Sequence, residues 1–377
     1  MVIVYLSNFF NHHQSSLSDV LYSSTDGNYY FVETESLPES IKALGYPVLK
    51  RPYLINYYSN KAYVDRLIIE ADVVIHGEAP LSLVKKRLRL GKLTFHDNER
   101  RYKSCIKYLK WPIYTYNSFF LNKGYMLCAS AYASRDFGLS GLKADRCFRW
   151  GYFTKVNKIN ESAIDQSKFT AESKARIMWC SRFIKLKHPE LAIELAIRLK
   201  TQGYSFIIDM YGIGNLYNKI QSLIEEYGLS DIVKLHGARP NEIILAEMLK
   251  HDIFLATSDQ NEGWGTVLNE AMSSGCAVVA SHDIGAVPYL IKDGINGLIY
   301  KSCNIDSLYK KVVELIDNPC KCYNIRREAL STMQNLWNAE VAGKNLIRLS
   351  KSLLNEEPCD ILEGPCSPAP RFNHTWM

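Results

Sequence analysis

The fold follows from the stretch Asn261-Glu262-Gly263-Trp264-Gly265-Thr266-Val267-Leu268-Asn269-Glu270-Ala271-Met272-Ser273-Ser274-Gly275, a glycine-rich turn that leads into a short predicted helix. The run before it, Asp252-Ile253-Phe254-Leu255-Ala256-Thr257, is short and apolar and predicts a buried parallel strand. Gly263 and Gly265 give the backbone the freedom that such a turn requires. A strand, a glycine turn and a helix in this order are typical of a phosphate-binding α/β protein.

Charges around this turn favour a nucleotide that carries a sugar. Backbone N–H groups near Thr266 and Val267, together with the positive end of the helix dipole, are suited to bind a phosphate oxygen. Glu270 lies one turn further on and points back toward the helix start, while Glu262 approaches from the loop. Because two carboxylates repel a phosphate, they suit hydroxyl groups on either side of it, those of a ribose and a sugar.

The spacing of these two acids, Glu-x7-Glu, ahead of the strand-like Cys276-Ala277-Val278-Val279-Ala280, resembles the signature of a known enzyme family. It is similar to the retaining glycosyltransferases of family GT4, which include bacterial capsule, O-antigen and exopolysaccharide transferases. The resemblance implies an α/β GT-B fold, two Rossmann-like domains facing each other across a cleft. It also implies that Glu262 contacts the donor sugar and Glu270 the ribose.

A pair of cations precedes this region in the chain. Arg182 and Lys187 follow a predicted strand, 175–181, and a predicted helix, 189–200, comes next. They match the Arg-x4-Lys pair of GT4, which holds the donor diphosphate. Departure of a nucleoside diphosphate builds negative charge, and fixed cations stabilise it without a metal, so we expect no metal or other cofactor. His188 stands where the family usually has glycine.

Two further glycines carry the resemblance through the second half, and one position departs from it. Gly212 lies in a Gly-x-Gly turn after a predicted strand, and Gly237 begins the turn that lies near the nucleotide base in GT4 enzymes. With Gly265, Thr266, Val267 and Glu270, these glycines form the predicted donor-binding set. Tyr289 stands where the family usually carries Glu, so one donor contact of the family is not reproduced.

The first half reads as a second parallel sheet with polar residues at its strand ends. A predicted strand, 2–6, is followed by a polar loop, 7–16, in which His12 and His13 replace the glycines of GT4. Two further strands are predicted at 71–78 and 93–97, so Glu78 and His96 fall near the sheet edge where ligands bind. His96 corresponds to a family histidine near the reacting sugar. We expect His12, His13 and Glu78 on the acceptor side, and histidines bonded only to their own surroundings remain the alternative.

Length and composition bound the possibilities. The chain has 377 residues, which favours two domains, and its net charge is +6. Ten cysteines without metal-site spacing indicate a reducing compartment. A short apolar N-terminus without a basic region predicts a first strand and no signal peptide, so we expect a cytoplasmic protein. The predicted divisions are 1–160 for the acceptor side, 161–335 for the nucleotide-sugar side, 336–354 for a helix returning to the first domain, and 355–377 for a loosely ordered tail.

A basic segment interrupts the first half. Ten basic residues lie between Lys85 and Lys110, against the two acids Asp97 and Glu99, and they alternate with apolar and aromatic residues. Such a surface suits an anionic membrane, because each cation near it contributes roughly 1 kcal/mol. An ordinary solvated helix face is the alternative. No recognised binding motif accompanies the charge, so nucleic acid is not an expected partner.

These observations together predict a retaining hexosyltransferase. It would move a sugar from a nucleotide-diphosphate donor to a hydroxyl of a glycan carried on a lipid, with Arg182, Lys187, Glu262 and His96 at the reaction. Two alternatives stay open. A sugar-nucleotide 2-epimerase shares the two-domain layout and uses no acceptor, and a catalytically silent glycan-binding protein shares the fold alone.

Overall fold

The computed structural model describes residues 1–39, 48–100, 124–139, 141–155, 164, 173–373 and 375–377. The chain divides into two compact units. The first contains Met1–Lys155 and Trp337–Asn373, and the second contains Val156–Leu336 and His374–Met377. Each unit is built on a parallel sheet with helices, so the prediction of two Rossmann-like α/β domains is confirmed. The predicted domain boundary at residue 160 lies outside the described residues.

The sheet of the first unit contains seven parallel strands among the described residues, in the order β3-β2-β1-β4-β5-β6-β7. Its strands are β1 (Ile3–Ser7), β2 (Tyr29–Glu33), β3 (Leu54–Asn56), β4 (Val73–His76), β5 (Thr94–Asn98), β6 (Gly124–Cys128) and β7 (Cys147–Arg149). The strand order reverses at β1, whose five residues are all buried. Ligands of such sheets bind beyond the carboxyl ends near this reversal.

The helices of the first unit connect and cover these strands. They are His12–Ser24, Lys61–Glu70, Ser82–Arg89, Ala133–Gly138 and Ala339–Asn355, with short 3-10 turns at Tyr58–Asn60 and Ala144–Arg146. The first helix begins at His12, so the polar loop predicted at 7–16 ends at residue 11 and its prediction is wrong beyond that point. Asn11 caps it through a reciprocal pair with Gln14, which places His12 and His13 in the first helical turn.

The segment after the last helix is better ordered than its composition predicts. Pro368 forms an antiparallel bridge with Phe148, and the neighbouring backbone groups of 366–369 exchange hydrogen bonds with β7. Cys366 and Ser367 are fully buried there. The expectation of a loosely ordered tail is therefore wrong for this part, because β7 lies at the sheet edge and offers unpaired backbone groups that the tail satisfies.

The sheet of the second unit contains six parallel strands among the described residues, in the order β10-β9-β8-β11-β12-β13. They are β8 (Ala175–Cys180), β9 (Phe206–Tyr211), β10 (Val233–Leu235), β11 (Ile253–Ala256), β12 (Ala277–Ser281) and β13 (Leu298–Tyr300). The order reverses between the adjacent strands β8 and β11. This reversal is where a ligand site is expected in an open parallel sheet.

Helices follow the strands of the second unit in regular alternation. They are Glu190–Thr201, Tyr217–Glu226, Asn241–Met248, Val267–Ser273, Val287–Leu290, Ile305–Ile316 and Pro319–Asn335, with a 3-10 turn at Lys185–Lys187. Apolar residues on the Glu190–Thr201 helix recur at helical spacing, and six residues of this helix are buried in the core. Burial of this face against the sheet contributes to the hydrophobic driving force for folding of the unit.

The basic segment divides into two kinds of residue where the structure describes it. Arg87 is fully buried and donates to the carbonyl oxygens of Ile68, Ala71, Asp72 and Leu93, at 2.7–2.9 Å. It therefore holds the sheet together and is not part of a membrane surface, which corrects the prediction at this position. Lys86 and Arg89 are exposed. The part of the segment from 101 to 110 lies outside the described residues.

Among the helices that the structure describes, none combines the length and the apolar character that crossing a bilayer requires.

Candidate functional site

The candidate site of the second unit lies beyond the carboxyl ends of β8 and β11, where the strand order reverses. A small cavity there is lined by Lys187, Glu262, Gly265 and Val267, together with residues from the two strand ends. Lys187 and three residues of the glycine turn, which are singled out from two separate parts of the sequence, therefore line one cavity. Open α/β sheets place their ligands at this point.

Lys187 and Glu262 form an ion pair inside this cavity. Their side chains are 11% and 15% exposed, so water screens the attraction weakly. Each side chain is already neutralised by the other. An anionic ligand that competes for Lys187 would free the Glu262 carboxylate to accept hydrogen bonds from other groups.

The loop that carries Lys187 is fixed by its backbone. The Thr257 hydroxyl donates to the Lys187 carbonyl oxygen at 2.5 Å and accepts from the Trp179 indole N–H at 2.8 Å. Trp179 is buried in β8, so the loop is tied to the sheet through a buried hydrogen-bonded chain. These hydrogen bonds restrain the backbone at Lys187, beside the cavity that its side chain lines.

Arg182 lies at the start of the same loop, directly beyond β8. Its side chain is exposed, and in the part of the chain that the structure describes it takes part in none of the ion pairs. It differs in this respect from Lys187. The two predicted cations thus share one loop, with one already paired and one directed to solvent.

Gly212 shows a packing reason for being glycine. Its φ is +126°, and a Cβ atom at this position would lie 1.9 Å from the carbonyl oxygen of Ser181, the residue before Arg182. Its N–H donates to the carbonyl oxygen of Gly237 at 2.8 Å. Gly237, with φ +69°, has open space where a Cβ would stand. The structure thus connects both predicted glycines to the Arg182 loop, and donor contact by either remains a prediction.

The glycine turn that opened the sequence analysis leads directly into the Val267–Ser273 helix. Gly265 has φ +91°, and a Cβ there would meet Ile284 at 2.8 Å. Thr266 is the residue before the first helical one. Within the described residues, no backbone carbonyl accepts from the N–H groups of Thr266 and Val267, whereas Leu268 and Asn269 are bonded within the turn.

Glu270 lies in the middle of this short helix and is largely buried. Burial raises the pKa of its carboxyl to about 7, and a hydrogen bond with Asn241 opposes the rise. Its charge also contributes to the raised pKa of the Cys180 thiol, which places the carboxyl near the end of β8. A carboxyl with this pKa exists in both forms near neutral pH, so a hydroxyl ligand that stabilises the charged form would lower the pKa.

Tyr289 occupies the position where the GT4 pattern has an acid. It lies in the Val287–Leu290 helix, is 7% exposed, and its ring centroid is 6.3 Å from that of Trp264. An aromatic residue packed against a buried tryptophan supplies no carboxylate. Any contact that the family makes through this acid is changed in this chain.

A partly buried polar network that joins β9 to residues after β10 and before β11 was not found by sequence reasoning. Asp209 accepts from His236 Nε2 at 2.6 Å and from His251 Nε2 at 2.9 Å. Burial acts to raise the pKa of Asp209, but the two histidines outweigh it and lower this pKa to about 2. The His236 ring stacks on Tyr211 with centroids 4.5 Å apart. These residues are far apart in the chain, so no local spacing could have revealed them.

In the first unit, His96 lies within β5, two residues before the end of the strand. The strand continues past it because Asp97 and Asn98 pair with Leu127 and Cys128 of β6. His96 Nδ1 is 3.1 Å from His76 Nδ1, and both rings are buried. Burial, with the charge of His76, holds the pKa of His96 well below its ordinary value, so the imidazole is neutral near pH 7.

Asp97, the residue after His96, is an acid whose surroundings include Glu78. Asp97 Oδ2 accepts from Tyr5 Oη at 2.5 Å and from Trp150 Nε1 at 3.2 Å, and burial raises the pKa of its carboxyl to about 7. Glu78 is exposed and accepts from Asn8 at 3.3 Å. The rings of His12 and His13 lie 3.9 Å apart, and burial lowers the pKa of both.

Residues able to bind a metal are dispersed in the part of the chain that the structure describes, where no three His, Cys, Asp or Glu residues form a metal-binding group. The expectation that no metal is used remains a prediction.

Comparison with known proteins links the second unit to one family. Residues 160–332, a little under half of the chain, match the family model "Glycosyl transferases group 1". Two relatives are named as polysaccharide enzymes. The putative colanic acid biosynthesis glycosyltransferase WcaL of Salmonella typhimurium is 28% identical over 187 residues, which are 47% of this chain and 46% of WcaL. The amylovoran biosynthesis glycosyltransferase AmsK of Erwinia amylovora is 27% identical over 210 residues, 53% of this chain and 51% of AmsK.

The chain thus spans about half the length of these curated relatives. Among solved structures, HepE from Anabaena in complex with UDP superposes with a TM-score of 0.68, covering 93% of this chain and 100% of HepE at 15% sequence identity. At this identity the likeness concerns the fold alone. The structural neighbours are GT-B glycosyltransferases, in agreement with the two parallel-sheet units.

Proposed function

We propose that this protein is a metal-independent retaining glycosyltransferase. It transfers a sugar from a nucleotide-diphosphate donor to a hydroxyl of a lipid-linked glycan during surface polysaccharide biosynthesis. The observation that carries the proposal is the buried Lys187–Glu262 ion pair, which shares a cavity with the Gly265 turn inside the segment that matches the glycosyltransferase family. The relatives named for colanic acid and amylovoran biosynthesis support the kind of product.

A sugar nucleotide satisfies both members of the ion pair. The diphosphate takes the place of Glu262 beside Lys187, and the freed carboxylate accepts hydrogen bonds from hydroxyls of the donor sugar. Glu270 holds the ribose from the helix, and the N–H groups of Thr266 and Val267 bind phosphate oxygens. The HepE structures with UDP and with UDP-glucose support a nucleotide sugar as the ligand class.

The reaction requires stabilisation of the leaving group more than a protein base. The bond between the anomeric carbon and the donor phosphate oxygen breaks, and a bond from the acceptor oxygen to that carbon forms. The acceptor proton passes to an oxygen of the leaving diphosphate. Arg182 and Lys187 stabilise the negative charge that develops on this diphosphate, a role that fixed cations perform without reorganisation.

For the acceptor side we retain His12, His13, Glu78 and His96 as candidates. The neutral state of His96 is compatible with accepting or donating one hydrogen bond to a sugar hydroxyl. Glu78 is exposed at the carboxyl end of β4 and is compatible with binding a hydroxyl. The exposed cations of the Ser82–Arg89 helix are proposed to contact an anionic bilayer from the cytoplasmic side.

Donor hydrolysis tests the proposal without knowledge of the acceptor. Purified protein is incubated with UDP-, GDP- and CMP-sugars, and release of free nucleotide is measured. A glycosyltransferase is expected to hydrolyse its donor slowly when water replaces the acceptor. Release from a UDP- or GDP-sugar supports the proposal, whereas release from a CMP-sugar alone would contradict a diphosphate donor. No release with any donor, also after addition of a lipid extract as acceptor source, would favour a catalytically silent protein of the same fold.

A further inference from the structure

Two loops of the second unit are joined at the candidate site. One, residues 182–188, follows β8, and the other, residues 257–262, follows β11. The Asp259 N–H donates to the Leu186 carbonyl oxygen at 3.0 Å, and the side chains of Lys187 and Glu262 pair across the gap. The residue after Lys187 therefore lies at the junction of both loops.

His188 occupies this junction and contacts two carboxylates. Its Nδ1 lies 2.8 Å from Glu190 Oε1 and its Nε2 lies 3.1 Å from Asp259 Oδ2, with the side chain 17% exposed. Glu190 begins the helix that follows the first loop, whereas Asp259 belongs to the second loop. The imidazole thus bridges a fixed helix and the loop that carries Glu262.

Asp259 organises the turn that presents Glu262. Its side-chain Oδ1 accepts from the Asn261 N–H at 2.7 Å, and its carbonyl oxygen accepts from the Glu262 N–H at 3.0 Å. One carboxylate oxygen therefore holds the turn while the other is held by His188. Displacement of Asp259 would move the backbone of Glu262 with it.

The backbone at His188 adds a second argument. Its φ is +45°, in the left-handed region, where glycine is the least strained residue. Histidine is among the side chains that tolerate this region, at a cost that glycine would avoid. A strained histidine whose ring nitrogens both meet carboxylates indicates that the side chain has a role of its own.

We propose that His188 is a positioning residue, which holds Asp259 from the neighbouring helix and thereby presents Glu262 to the donor sugar. This inference rests on the proposed function, since it assigns Glu262 to that sugar. His188 itself touches no substrate in this account. Its effect passes through Asp259 and the turn at 259–262.

The bridge is complete only when the imidazole carries two protons, because each nitrogen then donates to one carboxylate. The hydrogen bond to Glu190 is the largest cause that raises the pKa of His188; burial opposes it and Asp259 adds to it. Burial acts to raise the pKa of Glu190, but the contact with His188 outweighs it and lowers this pKa. The surrounding groups are Cys303, whose Sγ is 3.6 Å from Nε2, Asp283 near Cys303, and Lys219 near Glu190.

Two variants separate the side chain from the backbone. His188→Gly keeps the left-handed conformation without strain and removes both contacts. His188→Asn also tolerates this conformation and keeps one donor. We expect the glycine variant to stay as heat-stable as the wild type while the amides of 259–262 exchange hydrogen about tenfold faster, because the turn loses its support. The asparagine variant should fall between the two.

The test combines hydrogen exchange with donor turnover across pH 5.5–8.5. In the wild type, protection of 259–262, corrected for intrinsic exchange, should fall as pH rises through the raised pKa of His188, and both variants should lose this dependence. For donor turnover, kcat of the glycine variant should fall about tenfold, with a smaller change in KM. Exchange and kcat that remain at wild-type values in His188→Gly would overturn the inference.

A failure of the proposed function would give a different experimental result from a failure of the inference about His188. If the wild type turns over no donor, the assignment of Glu262 to a sugar falls, while the exchange measurement still reports whether His188 holds the turn. If the wild type is active and the exchange of 259–262 is the same in all three proteins, only the inference about His188 is wrong.

Discussion

At the scale of single residues, the candidate site depends on charges that are buried before any ligand arrives. Lys187 and Glu262 neutralise each other, and Glu270 sits in surroundings that favour its neutral form. Burial makes each of these groups costly unless it is paired. A ligand that carries a diphosphate and several hydroxyls can offer partners to Lys187, Glu262 and Glu270 in one binding event.

Replacement of Lys187 by alanine should abolish most donor turnover. The change removes a cation proposed to face the diphosphate and leaves the Glu262 carboxylate without its partner. We expect kcat/KM for donor hydrolysis to fall by about a hundredfold or more. The matched control is Lys185→Ala, since Lys185 is an exposed residue of the same 3-10 turn. Equal losses in both variants would contradict a specific role of Lys187.

Replacement of Glu270 by glutamine should change how stability depends on pH. The folded-state pKa of Glu270, about 7, is above its ordinary value of 4.5. The native state therefore binds more protons than the unfolded state between these values, and wild-type stability falls as pH rises through this window. Glutamine keeps the shape without the charge, so the variant should gain on the order of 3 kcal/mol relative to wild type at pH 8 and little at pH 4. Urea unfolding at both pH values measures the difference, and an equal effect at both would contradict it.

At the scale of elements, turns position the site more than helices do. Strand ends at β8, β9 and β11 bring three loops together, and close approach of their backbones requires glycine at Gly212. The 3-10 turn and the short helix at Val267–Ser273 then present the side chains. The close approach of the backbones at Gly212 can be tested by adding a single methyl group to this residue.

The variant Gly212→Ala should lower Tm and donor turnover together, because its Cβ would collide with the Ser181 carbonyl oxygen and displace the Arg182 loop. The control is Gly203→Ala, since Gly203 also has a positive φ, +77°, but has nothing within 4 Å of the new methyl group. The control should cost about 1 kcal/mol from backbone strain alone. Thermal unfolding with equal losses in both would show that the collision is relieved without consequence.

Much of the second unit could be predicted from sequence because its signals are local. The run at 252–257, the glycine turn and the helix that follows are contiguous, and the structure contains β11, the turn and the Val267–Ser273 helix in that order. The His236–Asp209–His251 network could not be predicted, since its members meet only after three strands have paired. The role of His188 is similar, because Asp259 is brought to it by the pairing of β8 with β11.

The first unit was harder to predict for physical reasons of the same kind. Asn11 and Gln14 start the first helix by reciprocal capping, so His12 and His13 are helical although their composition suggests a loop. The strand β5 ends one residue later than the predicted 93–97, at Asn98, because β6 offers that residue a partner across the sheet. The tail at 366–369 gains order only from the free edge of β7.

At the scale of the whole molecule, the chain contains two parallel-sheet units, and the residues that line the candidate cavity all belong to the second one. Residues 160–332 match the glycosyltransferase family, and they include Arg182, Lys187, Glu262 and Glu270. Donor binding can therefore be measured independently of the acceptor. Membrane contact through the first unit is a separate question with its own test.

Reversal of charge on the proposed membrane surface should weaken binding to anionic vesicles. Lys86, Arg89 and Lys92 contribute roughly 1 kcal/mol each near such a bilayer, so changing all three to Glu should reduce binding at least tenfold. The control reverses three dispersed cations, Lys234, Lys310 and Lys344, which changes net charge equally. Sedimentation with phosphatidylserine and with phosphatidylcholine vesicles measures the effect. Equal losses for both triple variants would show only a general charge effect.

The most direct measurement of the central claim is the thermal stability of the full chain with UDP-, GDP- and CMP-sugars, using Glu270→Ala for comparison. A ligand that binds only the native state at about a hundredfold its Kd adds about 2.7 kcal/mol of stability, a rise in Tm of several degrees. We predict such a rise with one class of donor and its loss in Glu270→Ala. A folded wild-type protein whose Tm rises with none of these donors would contradict the account.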